Sequence, residues 1–319
     1  MKIIDHATLS GLPISAKEYL DWIDYTARNM DHFVLPTKVR IPLAGTDYFN
    51  VMPCILPEQG MMGLKVVTRN QYRREQGQLN LDAQIMLYSS QDCNLLAIMD
   101  GNYITTVRTA AVAVHTALHT AQSFDTVAMV GLGNIGTMIG DLLFPVTTDR
   151  KMIVKLYQYK DHAERFMQRF QKYDNLTFQI CTDYCELMEG SDVIFSSVTY
   201  AEGDFCDQSV YKPGCTVIPV HMRGFMECDL HFDHVITSDL KSIQKFGYYG
   251  RFKKMSLLND VLFDPALIRE RPEDRVIVYN LGLAVNDLYY AGQIYQRLAG
   301  AEDHGALAPH EPFYLPEHD

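Results

Sequence analysis

The sequence predicts an α/β protein in which a doubly wound parallel sheet is joined to a separate α+β domain. Three observations predict it. The chain has 319 residues, more than one ordinary core requires. From Thr126 onward, apolar strand-like runs alternate with amphipathic helical ones, the pattern of a parallel sheet covered by helices on both faces. Before Thr105 the chain reads instead as one helix followed by several short strands divided by turn residues.

The elements follow in order. Ser15 to Met30 carries apolar residues at helical spacing, and Ser15 with Glu18 makes a capping-box pattern at its start. Lys38-Val39-Arg40-Ile41 alternates charged and apolar residues as a half-buried strand does. Further strands are expected over Phe49–Ile55, Met62–Val67, Ile85–Ser89 and Asn94–Met99, with a turn at Asp100-Gly101. Thr105 to Ala121 is alanine-rich with few charges, which suits a helix packed on nearly all sides and bridging the two domains. Then come a strand over Thr126–Val130, a helix over Ile135–Phe144, a strand over Met152–Tyr157 and a helix over Asp161–Lys172. Strands over Asp192–Ser197 and Cys215–Val220 and a late helix over Leu283–Leu298 complete the reading, and the proline-bearing tail from Ala301 is expected to be extended. The division expected is residues 1–112 with the tail 301–319 as one domain, and 113–300 as the other.

Composition narrows the function. With 47% hydrophobic residues there is ample material for a core. The net charge of −11, from 28 basic and 39 acidic side chains, argues against nonspecific binding of nucleic acid or anionic membrane. No apolar run reaches the length of a membrane span, and Met-Lys-Ile-Ile-Asp-His has no signal-peptide pattern, so a cytoplasmic protein is expected. The seven cysteines are odd in number, scattered and without a CxxC pair, so the reading is free thiols and no metal site.

The most informative stretch is Thr126-Val-Ala-Met-Val-Gly-Leu-Gly-Asn-Ile-Gly136. It places GxGxxG between a strand and a helix, the context in which that motif binds a dinucleotide. Gly131 allows the tight turn, Gly133 lets backbone approach a pyrophosphate, and Gly136 lets the helix pack on the strand. Asn134 and Ile135 open the helix, whose N–H groups and dipole suit phosphate. The following strand would ordinarily end in an acid that holds the adenosine ribose. Here Gln158, Tyr159 and Lys160 follow Tyr157. NAD or NADP is therefore expected, with a slight preference for NADP, since no acid repels a 2′-phosphate and Lys160 can pair with one. Asp161 weakens that argument, and a solvated Lys160 at a helix start is the plain alternative.

Several motifs together resemble the ornithine cyclodeaminase/mu-crystallin family. They are Leu35-Pro-Thr-Lys-Val39, Met62-Gly-Leu-Lys-Val-Val67, Leu95 to Ala111 with its Arg108-Thr-Ala-Ala element, the glycine turn, and Gly282-Leu-Ala-Val-Asn-Asp287. They stand in family order across nearly the whole chain. The resemblance implies a Rossmann domain, a substrate domain that also makes a homodimer, a nicotinamide cofactor, and a site in the cleft between the domains.

It also implies roles. Arg108 would grip a substrate carboxylate bidentately, with Thr109 beside the cofactor phosphates; a structural salt bridge is the plain alternative. Lys65 would face the substrate, binding its carboxylate or donating a proton, although a strand lysine can also point to solvent. Lys38 matches the family's early basic residue, and Arg40, two positions on, shares its strand face. Thr199, Val220, His221 and Asn280 are expected to line the cofactor. His221 is read either as a proton donor or as a filling side chain with a backbone contact. Ornithine cyclodeaminases resemble Val-Gly-Gly-Asp where this chain reads Val220-His221-Met222-Arg223. A cation in the aspartate's place repels an ornithine ammonium group. Arg223 is left either to bind a second carboxylate or to turn outwards towards Glu227 or Asp229.

The function expected is an NAD(P)-dependent oxidoreductase acting on an imine or amino acid. Ornithine cyclodeaminase, an ammonia-releasing lyase, is the second reading, and a noncatalytic nicotinamide-cofactor-binding protein the third. The partners expected are a small amino-acid or imine substrate and a second copy of the chain.

Overall fold

A computed structural model describes residues 1–78, 80–198 and 201–300, and the chain divides into two compact units. Thr199 and the tail from Ala301 lie outside the described residues.

Among the described residues, the first unit is Met1–Leu12, His32–Tyr103 and residues 288–300. Its sheet is built from β1 (Lys2–Ile4), β2 (Val39–Pro42), β3 (Tyr48–Leu56), β4 (Met61–Arg69), β5 (Leu81–Ser89) and β6 (Leu95–Asp100), in the order β1-β6-β5-β4-β3-β2. All neighbours are antiparallel except β1, which runs parallel to β6 and is too short to stand out in the sequence. Alternation selects one buried face: Met52, Cys54 and Leu56, then Met61 and Lys65, then Ala83, Ile85 and Leu87. The end of the helix Ala284–Arg297 packs there. A Cβ at Gly63 would stand 2.6 Å from Leu288 Cδ1, and one at Gly292 would stand 3.1 Å from Met61 Sδ.

Asp100-Gly101 is not a turn but a strand-to-helix junction. The helix Gly101–Thr120 begins at once, the Asp100 carboxylate accepts from Tyr103 N at 2.8 Å, and a Cβ at Gly101 would meet the Ala83 backbone at 2.7 Å.

The second unit is Pro13–Asp31 and Ile104–Asp287. It holds β7 (Thr126–Val130), β8 (Met152–Tyr157), β9 (Leu176–Cys181), β10 (Val193–Ser196), β11 (Thr216–Pro219), β12 (His234–Thr237), β13 (Met255–Leu257) and β14 (Val276–Tyr279). They form one parallel sheet in the order β13-β12-β14-β11-β10-β7-β8-β9. The run from β9 to β11 follows the doubly wound Rossmann order, with β14 rather than β12 taking the next place, and its direction reverses between β7 and β10. A ligand crevice belongs at the carboxyl ends of those two strands. The strands beside it are buried on both faces, which explains their unbroken apolar runs.

The division differs from the one expected. The helix Ala16–Arg28, capped by Ser15 accepting from Glu18 N, packs against the helix Asn134–Leu143 and so belongs to the second unit. The alanine-rich helix joins that unit from Ile104, not from residue 113, because Arg108, Thr116 and Thr120 bond to Asp287, Asn280 and Thr216 within it. Among the described residues no helix is long and apolar enough to cross a membrane.

Candidate functional site

The glycine turn sits at the switch point, and two of its three glycines are sterically required. Gly131 has φ of 86°, the left-handed region, and a Cβ there would lie 2.9 Å from the Ser197 carbonyl carbon after β10. A Cβ on Gly136 would fall 2.1 Å from Gly131 O. Gly133 caps the helix Asn134–Leu143 with no side-chain hydrogen bond, and a Cβ added to it would meet nothing within 4 Å. Asn134 is exposed and Ile135 half-buried in the first turn. A helix start that lacks a side-chain cap and is approachable at its glycine fits a pyrophosphate. Next to it lies a groove of about 530 Å³ lined by Leu132, Gly133, Asn134, Thr137, His162 and Arg165, among others.

At the tip of β8, Gln158 replaces the ribose acid but recruits another. Its Nε2 donates to Lys160 O at 2.6 Å and to Glu164 Oε1 at 2.8 Å. Its Oε1 is buried with no hydrogen-bond partner among the described residues, which leaves an acceptor for a ligand hydroxyl. Lys160 takes a positive φ of 53° to close this turn, and its Nζ lies 5.4 Å from the centre of the Tyr159 ring. Glu164 does not stand out in the sequence because it lies in the next helix, six residues beyond the strand-end position.

A second pocket in the same unit is lined by Arg108, Thr109, Val112, Ser238, Asn280, Leu281, Gly282, Leu283 and Asn286. Arg108 is 6% exposed, and its Nε donates to Oδ1 of the fully buried Asp287 at 2.8 Å. The salt bridge weighed as the plain alternative therefore exists, yet among the described residues it uses only one of the five guanidinium donors. The terminal nitrogens lie against Gly282, where a Cβ would stand 2.9 and 3.0 Å from them. Gly282 and Asp287 belong to one motif, and the fold uses its glycine to admit the arginine and its aspartate to orient it. Asn280, 5% exposed, accepts from Thr116 Oγ1 at 3.3 Å, while its Nδ2 has no hydrogen-bond partner among the described residues. A buried donor without a protein partner beside a pocket can be met by a ligand or a water.

His221 has both ring nitrogens engaged. Arg223 N donates to Nδ1 at 3.2 Å, so Nε2 carries the proton and donates to Ser196 Oγ at 2.7 Å. Burial, then the Arg223 charge, pushes its pKa down to about 4. It is thus a neutral side chain, fixed by bonds at both ring nitrogens. Ser196, its partner, carries no signal of its own in the sequence. Val220 follows β11, its N–H donating to Ser196 O at 3.0 Å. Arg223 is exposed. Of the two acids weighed as its partners, Asp229 is fully buried and bonded to Tyr279 and Tyr248.

In the first unit, Lys65 is 2% exposed on the buried sheet face, opposite Met52 and Ile85. That overturns a solvated strand lysine. Lys38 is half-buried just before β2. Arg40 is exposed on that edge strand, its guanidinium 3.9 Å from the centre of the Tyr48 ring.

Away from both pockets, Asp24, His115 and His119 gather within 4.8 Å of one another. The sequence holds part of this signal, a His-x-x-x-His pair on one helix face, but the aspartate comes from another helix. The seven cysteines are free.

The profile of the ornithine cyclodeaminase/mu-crystallin family matches residues 12–302. The chain is 23% identical over 300 residues to Delta(1)-pyrroline-2-carboxylate reductase of Bacillus cereus, covering 86% of this chain and 91% of that protein. It is 24% identical over 295 residues to N-((2S)-2-amino-2-carboxyethyl)-L-glutamate dehydrogenase of Staphylococcus aureus, covering 85% and 87%. Among solved structures, an archaeal alanine dehydrogenase dimer with bound NAD matches with a TM-score of 0.83 at 19% identity, over 97% of this chain and 99% of that one.

Proposed function

Because the chain belongs to the ornithine cyclodeaminase/mu-crystallin family, we propose that it is an NAD(P)-dependent oxidoreductase that interconverts an imine and an α-amino acid. The observation that carries this reading is Arg108. A buried guanidinium is aimed by Asp287, with its terminal nitrogens left for a carboxylate, in the unit that holds the glycine cradle. When bound, the nicotinamide cofactor would exchange hydride with the substrate's α-carbon. Gly131, Gly133, Asn134, Ile135 and Gly136 would hold the pyrophosphate, Thr109 would lie by the phosphates, and Asn280 Nδ2 would donate to the cofactor.

The chain's own residues do the rest by positioning. Arg108 fixes the substrate carboxylate, and Lys38 is the second candidate for it. Lys65 hydrogen-bonds the amine nitrogen or hands it a proton. Lys65 is 2% exposed on the inner sheet face, which supports this assignment over a solvated side chain. Arg223 would meet a second carboxylate, as on a dicarboxylic or opine-type substrate; the S. aureus relative, whose named substrate is an N-carboxyalkyl glutamate, is of that type. The same arginine speaks against ornithine as substrate.

For the cofactor, Gln158 in place of the ribose acid favours NADP, and Glu164 beside it opposes that preference. The assembly proposed is a homodimer in the cytoplasm. The free thiols suit a reducing compartment. Val39 and Ile41, 52% and 47% exposed on the edge strand β2, leave an apolar edge that a second copy would cover.

The test is NAD(P)H oxidation with cyclic imine carboxylates, and with pyruvate, glyoxylate or oxaloacetate plus amines. Turnover that falls sharply in Lys65→Met and Arg108→Lys with cofactor binding intact supports the reading. Ammonia release from ornithine without net cofactor reduction would instead establish the lyase, and tight cofactor binding without turnover on any of these would leave a binding protein.

A further inference from the structure

We propose that Asp24, His115 and His119 form a site for a divalent transition-metal ion, with Zn²⁺ as the reference occupant. The three ligands come from two helices of one unit: Asp24 from Ala16–Arg28, the histidines from successive turns of Gly101–Thr120. Histidines four residues apart on a helix face the same way, the arrangement that many zinc sites use.

The geometry is close to that of a bound ion. His115 Nε2 stands 3.1 Å from Asp24 Oδ1 and His119 Nε2 stands 4.0 Å from it. Tetrahedral coordination with bonds of about 2.0–2.1 Å puts ligand atoms roughly 3.3 Å apart, so shifts of under about an ångström complete the set. The orientation of His119 is already fixed. Its Nδ1 donates to His115 O at 2.9 Å, so its lone pair is on Nε2, facing the site. Asp24 is oriented as well, because Arg28 Nε holds its other oxygen at 2.7 Å and leaves Oδ1 to bind through one atom. The Phe263 ring packs edge-on against both imidazoles and supplies an apolar wall. The side chains of His119 and Asp24 are 30% and 34% exposed, so an ion and a water as fourth ligand can reach the site.

Two features hold the affinity down. The Arg28 charge stands next to the ligating carboxylate. Binding also moves the His115 proton from Nε2 to Nδ1, which is buried with no hydrogen-bond partner among the described residues. The two imidazoles and one carboxylate suit zinc, nickel or copper better than calcium or magnesium.

Equilibrium dialysis of chelator-treated protein against Zn²⁺, with Co²⁺ absorption to report geometry, tests the proposal. The expected result is one ion per chain, tetrahedral Co²⁺ bands, and a thermal midpoint raised by Zn²⁺. His119→Ala and Asp24→Asn should each weaken binding by about 100-fold or more and abolish the thermal shift, while both variants keep the wild-type circular dichroism. Arg28→Met, which removes the opposing charge but no ligand, should tighten binding. Absence of stoichiometric binding overturns the proposal, and so does binding that the His119 and Asp24 variants leave unchanged, which would put the ion on the thiols.

Discussion

Gln158 Nε2 donates to Glu164 Oε1 at 2.8 Å, so the strand tip that lacks an acid in sequence has one in space. Removing that charge with Glu164→Gln should improve NADP(H) relative to NAD(H), by about tenfold in the ratio of their kcat/KM values. Steady-state kinetics with both cofactors measures it. An unchanged ratio would mean that the carboxylate does not reach the ribose.

Two variants separate the jobs of Arg108 and Asp287. Arg108→Lys loses the planar fork and should lower kcat/KM for the amino-acid or imine substrate by roughly 100-fold, with cofactor affinity little altered. Asp287→Asn leaves a guanidinium of 8% side-chain exposure without its counter-charge. It should destabilise the fold by about 3–5 kcal/mol. Denaturant titration beside kinetics tells the two effects apart, and normal substrate kinetics in the Arg108→Lys variant would remove the carboxylate-binding role.

The three-glycine cradle makes a contrast between neighbours. Gly136→Ala has no room, its new atom landing 2.1 Å from Gly131 O, and should cost about 3 kcal/mol of stability. Gly133→Ala has open space and an ordinary φ of −79°, so stability should change by less than about 0.5 kcal/mol. Yet it should weaken cofactor binding about tenfold or more, because the added carbon occupies the backbone's line of approach to the pyrophosphate. Fluorescence titration with NAD(P)H reads this directly; unaffected binding in the Gly133→Ala variant would place the phosphates elsewhere.

A buried carboxyl sets a pH dependence. Burial raises Asp229 from 3.8 to about 7, with Tyr279 Oη donating to it at 2.7 Å. A raised carboxyl pKa means that the folded state binds the extra proton. Its contribution is therefore full below the unfolded value and is lost as pH climbs through about 4 to 7. Asp229→Asn, neutral throughout, should match wild type near pH 4 and exceed it by about 4 kcal/mol near pH 8. Thermal unfolding across that range checks the sign, and a variant less stable at pH 8 would refute it.

How much is legible in the sequence follows from how local each signal is. The glycine turn is readable because strand, turn and helix are contiguous, and the structure shows no room for a side chain at Gly131 or Gly136. The strand Met61–Arg69 is readable by its alternation, but whether Lys65 faces in or out depends on which face Met52 and Ile85 share with it across the sheet. Strands β1, β9, β12, β13 and β14 escape notice; all but β9 have only three or four residues, which carry little periodicity. Glu164 escapes because the ribose acid is expected along the strand rather than from the helix above it. The cluster at His115 and His119 escapes because cysteine spacing reports nothing about a helical histidine pair, and its third member, Asp24, is joined to that pair only by the packing of two helices.

Arg108 and Asp287 are separated by 179 positions in the chain. Such a contact closes only after the intervening sheet has assembled, so it belongs to the late part of folding. During synthesis the glycine turn can form long before the arginine has its partner. A nascent or truncated chain ending short of Asp287 would hold the glycine turn but an unaimed guanidinium, and the carboxylate grip proposed for Arg108 would be the last property the molecule acquires.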